Sequence, residues 1–136
     1  MPYKFPSDGW LQAFKEKLNT DERYARIAKK WEGELMFKIE PGGSLSETHY
    51  FYLDLWHGTC REAYILDEAQ QASLDPAFVL KAPYPDFIRI LKGELDPMQA
   101  MITRKLQVQG SMAYMMRNVP VVLDFVRCAR EIDVEF

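Results

Sequence analysis

The chain has 136 residues, 48% of them apolar and 27% charged, the profile of one globular domain over residues 1–136 rather than of a disordered chain. Its formal charge of −3 lacks the basic footprint of a general nucleic-acid binder. Two cysteines exclude a disulfide framework or a four-ligand zinc site, and the absence of a signal-type h-region or of ~20 consecutive apolar residues points to a cytoplasmic location.

The first third reads as two helices. Ser7 is an N-cap, after which Trp10, Leu11, Phe14 and Leu18 recur at helical spacing. Asn19 or Thr20 is expected to cap a second helix carrying Tyr24, Ile27, Ala28 and Trp31 on one face, broken at Gly33. Strands follow. Leu35, Phe37 and Ile39 alternate with polar or outward residues at a period of two. Pro41-Gly42-Gly43-Ser44 is a turn, and His49 to Trp56 is dense in β-prone aromatics. His57-Gly58-Thr59 turns the chain into a returning strand from Cys60 to Leu66. After a polar stretch, Ala77 to Ala82 is a fourth strand.

Helices then return. Pro83 and Pro85 end the strand, and Phe87, Ile90 and Leu91 share a helix face that Gly93 closes. Asp96-Pro97 pairs an N-cap residue with proline at the first helical position, and Met98, Met101 and Ile102 repeat the spacing. Leu106 and Val108 make a short strand ending at Gly110. Ser111 caps a helix with Met112, Met115 and Met116 on one face. Asn118 restarts it, with Val119, Val122, Val126 and Ala129 in a stripe. The predicted order α-α-β-β-β-β-α-α-β-α-α groups the strands centrally, which indicates an α+β layer fold.

Reactive chemistry is thinly represented. His49 and His57 lie eight apart with neither a HExxH pattern nor an acidic cluster, so no metal is assigned. His57 and Cys60 could form a thiol–imidazole pair, and Asp54 stands among apolar neighbours where burial would raise its pKa. These groups support one alternative, an enzyme acting on a thioester. Pro41-Gly42-Gly43 lacks the context of a phosphate loop, and no cofactor is implied.

Charge is uneven: residues 1–31 hold seven Lys and Arg against four Asp and Glu. Arg23, Arg26 and Lys30 can share one helix face and attract an anionic membrane. Five of the seven methionines lie between Met98 and Met116. Methionine is flexible and polarizable, so this cluster either lines a site for varied apolar guests or fills gaps in a core. The residues alone leave both readings open.

One ordered series runs nearly the length of the chain: Trp10, Trp31-Glu32-Gly33, Phe37-Lys38-Ile39, Leu53-Asp54-Leu55 before Gly58, Leu91-Lys92-Gly93, Asp96-Pro97, Ala100-Met101, and Lys105-Leu106-x-Val108-x-Gly110. It resembles the sterol carrier protein 2 sterol-binding domain family, in its stand-alone prokaryotic form. The resemblance implies a five-stranded sheet covered by N- and C-terminal helices and enclosing an apolar tunnel. It also implies non-enzymatic binding or transfer of fatty acid, fatty acyl-CoA or a sterol-like lipid. By position, the implied ligand-binding residues are Phe78, Phe87, Ile90, Met98, Met101, Met112, Met115, Met116 and Phe125. Thr103-Arg104 departs from the family, which often has glycine before the lysine. The C-terminal Val134-Glu135-Phe136 is not a peroxisomal Ser-Lys-Leu type signal, which favours acyl chains over sterol as ligand.

A second alternative is an interaction module whose helices dimerise or dock on a larger enzyme. Pro83, Pro85 and Pro97 bracket the segment Phe87–Leu91, with Gly93 between the two short helices, which makes stiff pieces suited either to a lid over 87–101 or to a compact turn.

Overall fold

A computed structural model describes residues 2–136. Helix α1 (Asp8–Thr20) follows a short strand β1 (Tyr3–Lys4) and starts where the sequence places it, with the Ser7 hydroxyl accepting the Trp10 N–H at 3.1 Å. The cap of α2 (Glu22–Ile27) differs from expectation. Neither Asn19 nor Thr20 serves; Asp21 accepts the Tyr24 N–H at 2.9 Å. Asn19 is engaged elsewhere, because its amide donates to the Cys60 carbonyl at 2.9 Å and accepts the Cys60 N–H at 2.7 Å. That long-range pair has no local signal. Trp31 lies beyond the helix, its indole nitrogen donating to the Gly33 carbonyl.

Strands β2 (Leu35–Glu40), β3 (His49–Trp56), β4 (Thr59–Leu66), β5 (Phe78–Pro83) and β6 (Gln107–Gln109) form one sheet in the order β4-β3-β2-β5-β6. Within this sheet β2 and β5 pair in parallel and the other neighbours antiparallel. The β3–β4 turn needs positive φ at both central residues, His57 (51°) and Gly58 (82°), as a two-residue hairpin of matched twist does. A Cβ at Gly58 would stand 2.7 Å from the Ala25 carbonyl oxygen, so the turn packs on the α2 backbone only because glycine is there.

Two features lie outside the elements read from the sequence. A five-residue helix, α3 (Glu68–Ala72), forms in the polar stretch through a reciprocal Asp67/Gln70 capping box. A last strand, β7 (Val134–Glu135), pairs in parallel with β1 and joins the two chain ends. Four further helices complete the layer: α4 (Tyr84–Leu91), α5 (Pro97–Ile102), α6 (Met112–Arg117) and α7 (Val119–Arg130). The Asp96 and Ser111 caps form as read.

Strand register puts Phe51, Phe37, Leu80 and Val108 in one row across the sheet. This inner face shares a single core with the buried residues of α1, α2 and α4 through α7. The opposite face carries a small cluster of Met36, Tyr50 and Leu66, with Lys38 over the Tyr50 ring. Among the described residues no helix is long and apolar enough to cross a membrane.

Candidate functional site

Between the inner sheet row and the helices lies an apolar cavity of about 70 Å³ that no polar atom faces. Its floor is Leu35, Phe37 and Ile39 of β2, Phe51 and Leu55 of β3, and Leu80 of β5. One side is Trp10 and Phe14 of α1 with Tyr24 of α2. The other side comes from Phe87 and Ile90 of α4, Pro97 and Met101 of α5, Met115 of α6, and Val121, Val122, Phe125 and Ala129 of α7. An engineered void of about 150 Å³ holds one benzene, and a water claims about 30 Å³. The cavity therefore has room for a few methylenes as it stands. It lies between the sheet and the helices, where the resemblance implies an apolar tunnel.

Of the nine expected ligand-binding residues, the structure gathers Phe87, Ile90, Met101, Met115 and Phe125 on this wall. Phe78 is buried beside it, packed against Trp31 and Tyr114 with ring centroids 5.4 and 5.7 Å away. Met98 is half-buried at the edge of the core. Met112 and Met116 face outward, so the single face expected for the three α6 methionines does not form. The reason is Tyr114: its ring stacks on Phe78 and meets Trp31 edge-on, and its hydroxyl accepts the Glu32 N–H at 3.0 Å, which rotates α6 so that only Met115 points in. Ile102 likewise leaves the Met101 face for solvent. The aromatic floor and the α1 residues were legible as core periodicity, but no local signal separates a core position from a cavity wall.

Trp10 Nε1 is buried without an acceptor, which costs about 1–3 kcal/mol. The Phe5 ring meets the Trp10 ring edge-on at 4.8 Å.

The reactive groups singled out in the sequence do not converge. Burial pushes the Cys60 thiol up to about 12, so it stays protonated, and its Sγ donates to the Glu62 carbonyl at 3.4 Å. The exposed His57 pairs instead with Glu32, at 2.7 Å. Asp54 is held by Arg61 through two bonds of 3.0 Å. The thiol–imidazole pair is absent because Cys60 points into the core while His57 sits at the hairpin tip.

Asp21, Asp124 and Cys128 bring three metal-ligand atoms within 4.8 Å of one another, but a guanidinium already occupies the cluster. Arg127 donates to Asp124 at 2.7 and 3.0 Å and to Asp21 at 2.7 and 3.2 Å. Lys17 and Glu131 extend the network. Arg127 holds the Asp21 carboxyl well below the usual carboxylate range, helped by the Tyr24 N–H. Burial raises the Cys128 thiol to about 11. The cluster is a clamp joining the α1–α2 corner to α7.

The basic face expected at Arg23, Arg26 and Lys30 is also rearranged. The helix stops at Ile27 short of Lys30, and Arg23 turns to Asp124 at 3.3 Å.

The SCP-2 sterol transfer family matches residues 11–122. A crystal structure of sterol carrier protein 2 superposes with TM-score 0.82 at 30% identity, covering 91% of this chain and 95% of that one. A conserved hypothetical protein from Thermus thermophilus, with a suggested sterol carrier assignment, gives TM-score 0.83 at 29% identity over 95% and 90% of the two chains. Sterol carrier protein-2 of Aedes aegypti, in complex with the C16 fatty acid palmitate, shares the fold at TM-score 0.54 and 18% identity, over 89% and 94%. No curated protein is similar enough in sequence to count as a relative.

Proposed function

The chain belongs to the SCP-2 sterol transfer family, and we propose that it binds and transfers a lipid, without catalysing a reaction, by taking an acyl chain into the apolar cavity. The observation that carries this reading is a cavity with an apolar lining, collected from the sheet and from the helices on both sides of it. Such a space stays dry and gains free energy from apolar guests at about 25 cal/mol per Å² of surface buried. The palmitate complex of the Aedes aegypti protein supports a fatty acid as one ligand class for this fold. A protonated, buried Cys60 and a His57 tied to Glu32 support the non-enzymatic reading over a thioester enzyme.

The ligand enters tail first. Among the described residues the interior offers one unpaired donor, Trp10 Nε1, and no cation lines the cavity. Burying an ionised carboxylate there would cost several kcal/mol, so the head group stays at the surface. Because 70 Å³ is too small for a whole chain, the wall must yield. The segment Phe87–Met101 supplies a turn at Gly93 (φ 79°) and the cavity-facing Phe87, Ile90 and Met101.

Displacement of cis-parinaric acid by palmitate, with native mass spectrometry of co-purified lipid, tests the proposal. Binding in the micromolar range is expected, with slower amide exchange over Phe87–Met101 when ligand is present and little change in β2 and β3. No displacement and no co-purified lipid would end the reading. If Cys60 alkylated with iodoacetamide faster than a free thiol at neutral pH, the enzyme alternative would revive.

A further inference from the structure

Helices α5, α6 and α7 carry apolar side chains toward solvent as well as toward the cavity. Met101, Met115, Val121 and Val122 face inward. From the same helices Ile102, Met112, Met116 and Leu123 face solvent, at 65, 38, 44 and 44% exposure. Ordinary surface helices of this protein look different: the exposed positions of α1 within Gln12–Thr20 are Gln12, Glu16, Asn19 and Thr20, all polar.

The same stretch is also the one without acids. No Asp or Glu stands between Asp96 and Asp124, although the chain as a whole carries −3. It contains Arg104, Lys105 and Arg117, all exposed and, among the described residues, without an ion-pair partner. Arg104 is held at φ 63° just past the end of α5, where a helix ordinarily takes glycine. The other non-glycine at positive φ, His57, stands in a hairpin that demands it. A strained, exposed and unpaired cation is a broken local rule, and such residues cluster where function requires them.

We infer that this wall, Ile102 and Leu123 with Arg104, Lys105 and Arg117, is the surface by which the protein docks on an anionic lipid bilayer. The inference rests on the lipid-transfer reading and adds the place where cargo is exchanged. Exposed apolar side chains beside unpaired cations match an interface with anionic head groups over acyl chains. A second copy of the chain is a poor occupant, because a two-fold contact would set like charges against like. The docked helices carry the cavity wall on their inner side, so a lipid crossing them need not pass through water.

Sedimentation with vesicles of phosphatidylcholine, with and without one third phosphatidylglycerol, tests this. The protein should partition onto the anionic vesicles at low salt and lose that binding several-fold at 0.5 M salt. The triple variant Arg104→Gln, Lys105→Gln, Arg117→Gln should lose roughly a hundredfold in partition, and Ile102→Ser with Leu123→Ser about tenfold. Arg26→Gln with Lys30→Gln should bind like wild type. Uptake of cis-parinaric acid from solution should stay within about twofold in all of them, since none of these residues lines the cavity. Equal binding to both vesicle types, wild-type binding by the triple variant, or loss in the Arg26/Lys30 variant would overturn the inference. So would a stable dimer, seen by light scattering, that Ile102→Ser dissolves. If wild type takes up parinaric acid but ignores vesicles, the docking surface alone fails; if it takes up none, the lipid-binding reading fails with it.

Discussion

Helix α7 belongs to two different environments. One side of it carries Asp124 and Arg127 into the clamp with Asp21, where each bond has a defined donor and acceptor 2.7–3.2 Å apart. Another side, with α5 and α6, presents Val121, Val122 and Phe125 beside Met101 and Met115 to the cavity through contacts that have no direction. Directional bonds fix one geometry and are lost together. Dispersion contacts can exchange partners as side chains change rotamer, most readily for methionine. On the lipid-binding reading proposed above, the clamp is the frame and the wall of α4, α5 and α6 is the part that yields to a guest. Tyr114 and Arg130 limit how far it yields. Tyr114 fastens α6 to Glu32, and Arg130 donates to the Ile90 and Leu95 carbonyls, pinning the α4–α5 link to α7.

The strongest way to break this contrast is at the clamp. Arg127→Ala leaves the buried Asp124 without its bidentate partner and should destabilise the protein by about 3–5 kcal/mol in urea unfolding. A saturating fatty acid should not restore the lost geometry. In the wall, Met115→Ala removes a buried side chain at the edge of an existing void and should cost about 2–3 kcal/mol. Here ligand should recover part of the loss, because the enlarged cavity binds more of it. Equal ligand rescue of the two variants would erase the distinction.

Acid should separate the regions next. Asp21 has a folded-state pKa below its unfolded one, so its contribution is fully present above about pH 4–5 and fades as pH falls through the carboxylate range. Glu131, lowered by Lys17 and then Arg127, acts with the same sign. A loss on the order of 1–2 kcal/mol between pH 6 and pH 3 is expected, and Arg127→Met should flatten that limb of the profile while Met115→Ala leaves it intact. The smallest effect is expected at Arg104, whose side chain has no partner and whose backbone is left-handed. Arg104→Gly should stabilise by about 0.5–1 kcal/mol; a destabilisation would show that the arginine contributes to the fold.

Much of this molecule was present in local patterns. Period-two alternation located β2 and β6, β-prone aromatics located β3, and the Ser7, Asp96 and Ser111 caps set helix starts, because hydrogen bonds within three residues depend on neighbours in sequence. The ordered motif series also carried the family. Tertiary structure alone decided which way α6 turned, since Met112, Met115 and Met116 are equivalent until Tyr114 meets Trp31, Phe78 and Glu32 from distant parts of the chain. It decided that Asn19 would serve β4 rather than a helix end, that Arg127 would close on Asp21 across 106 residues, and that the chain ends would pair. It also decided how large the cavity would be, because free volume is what remains after all side chains have packed, and no residue carries it by itself.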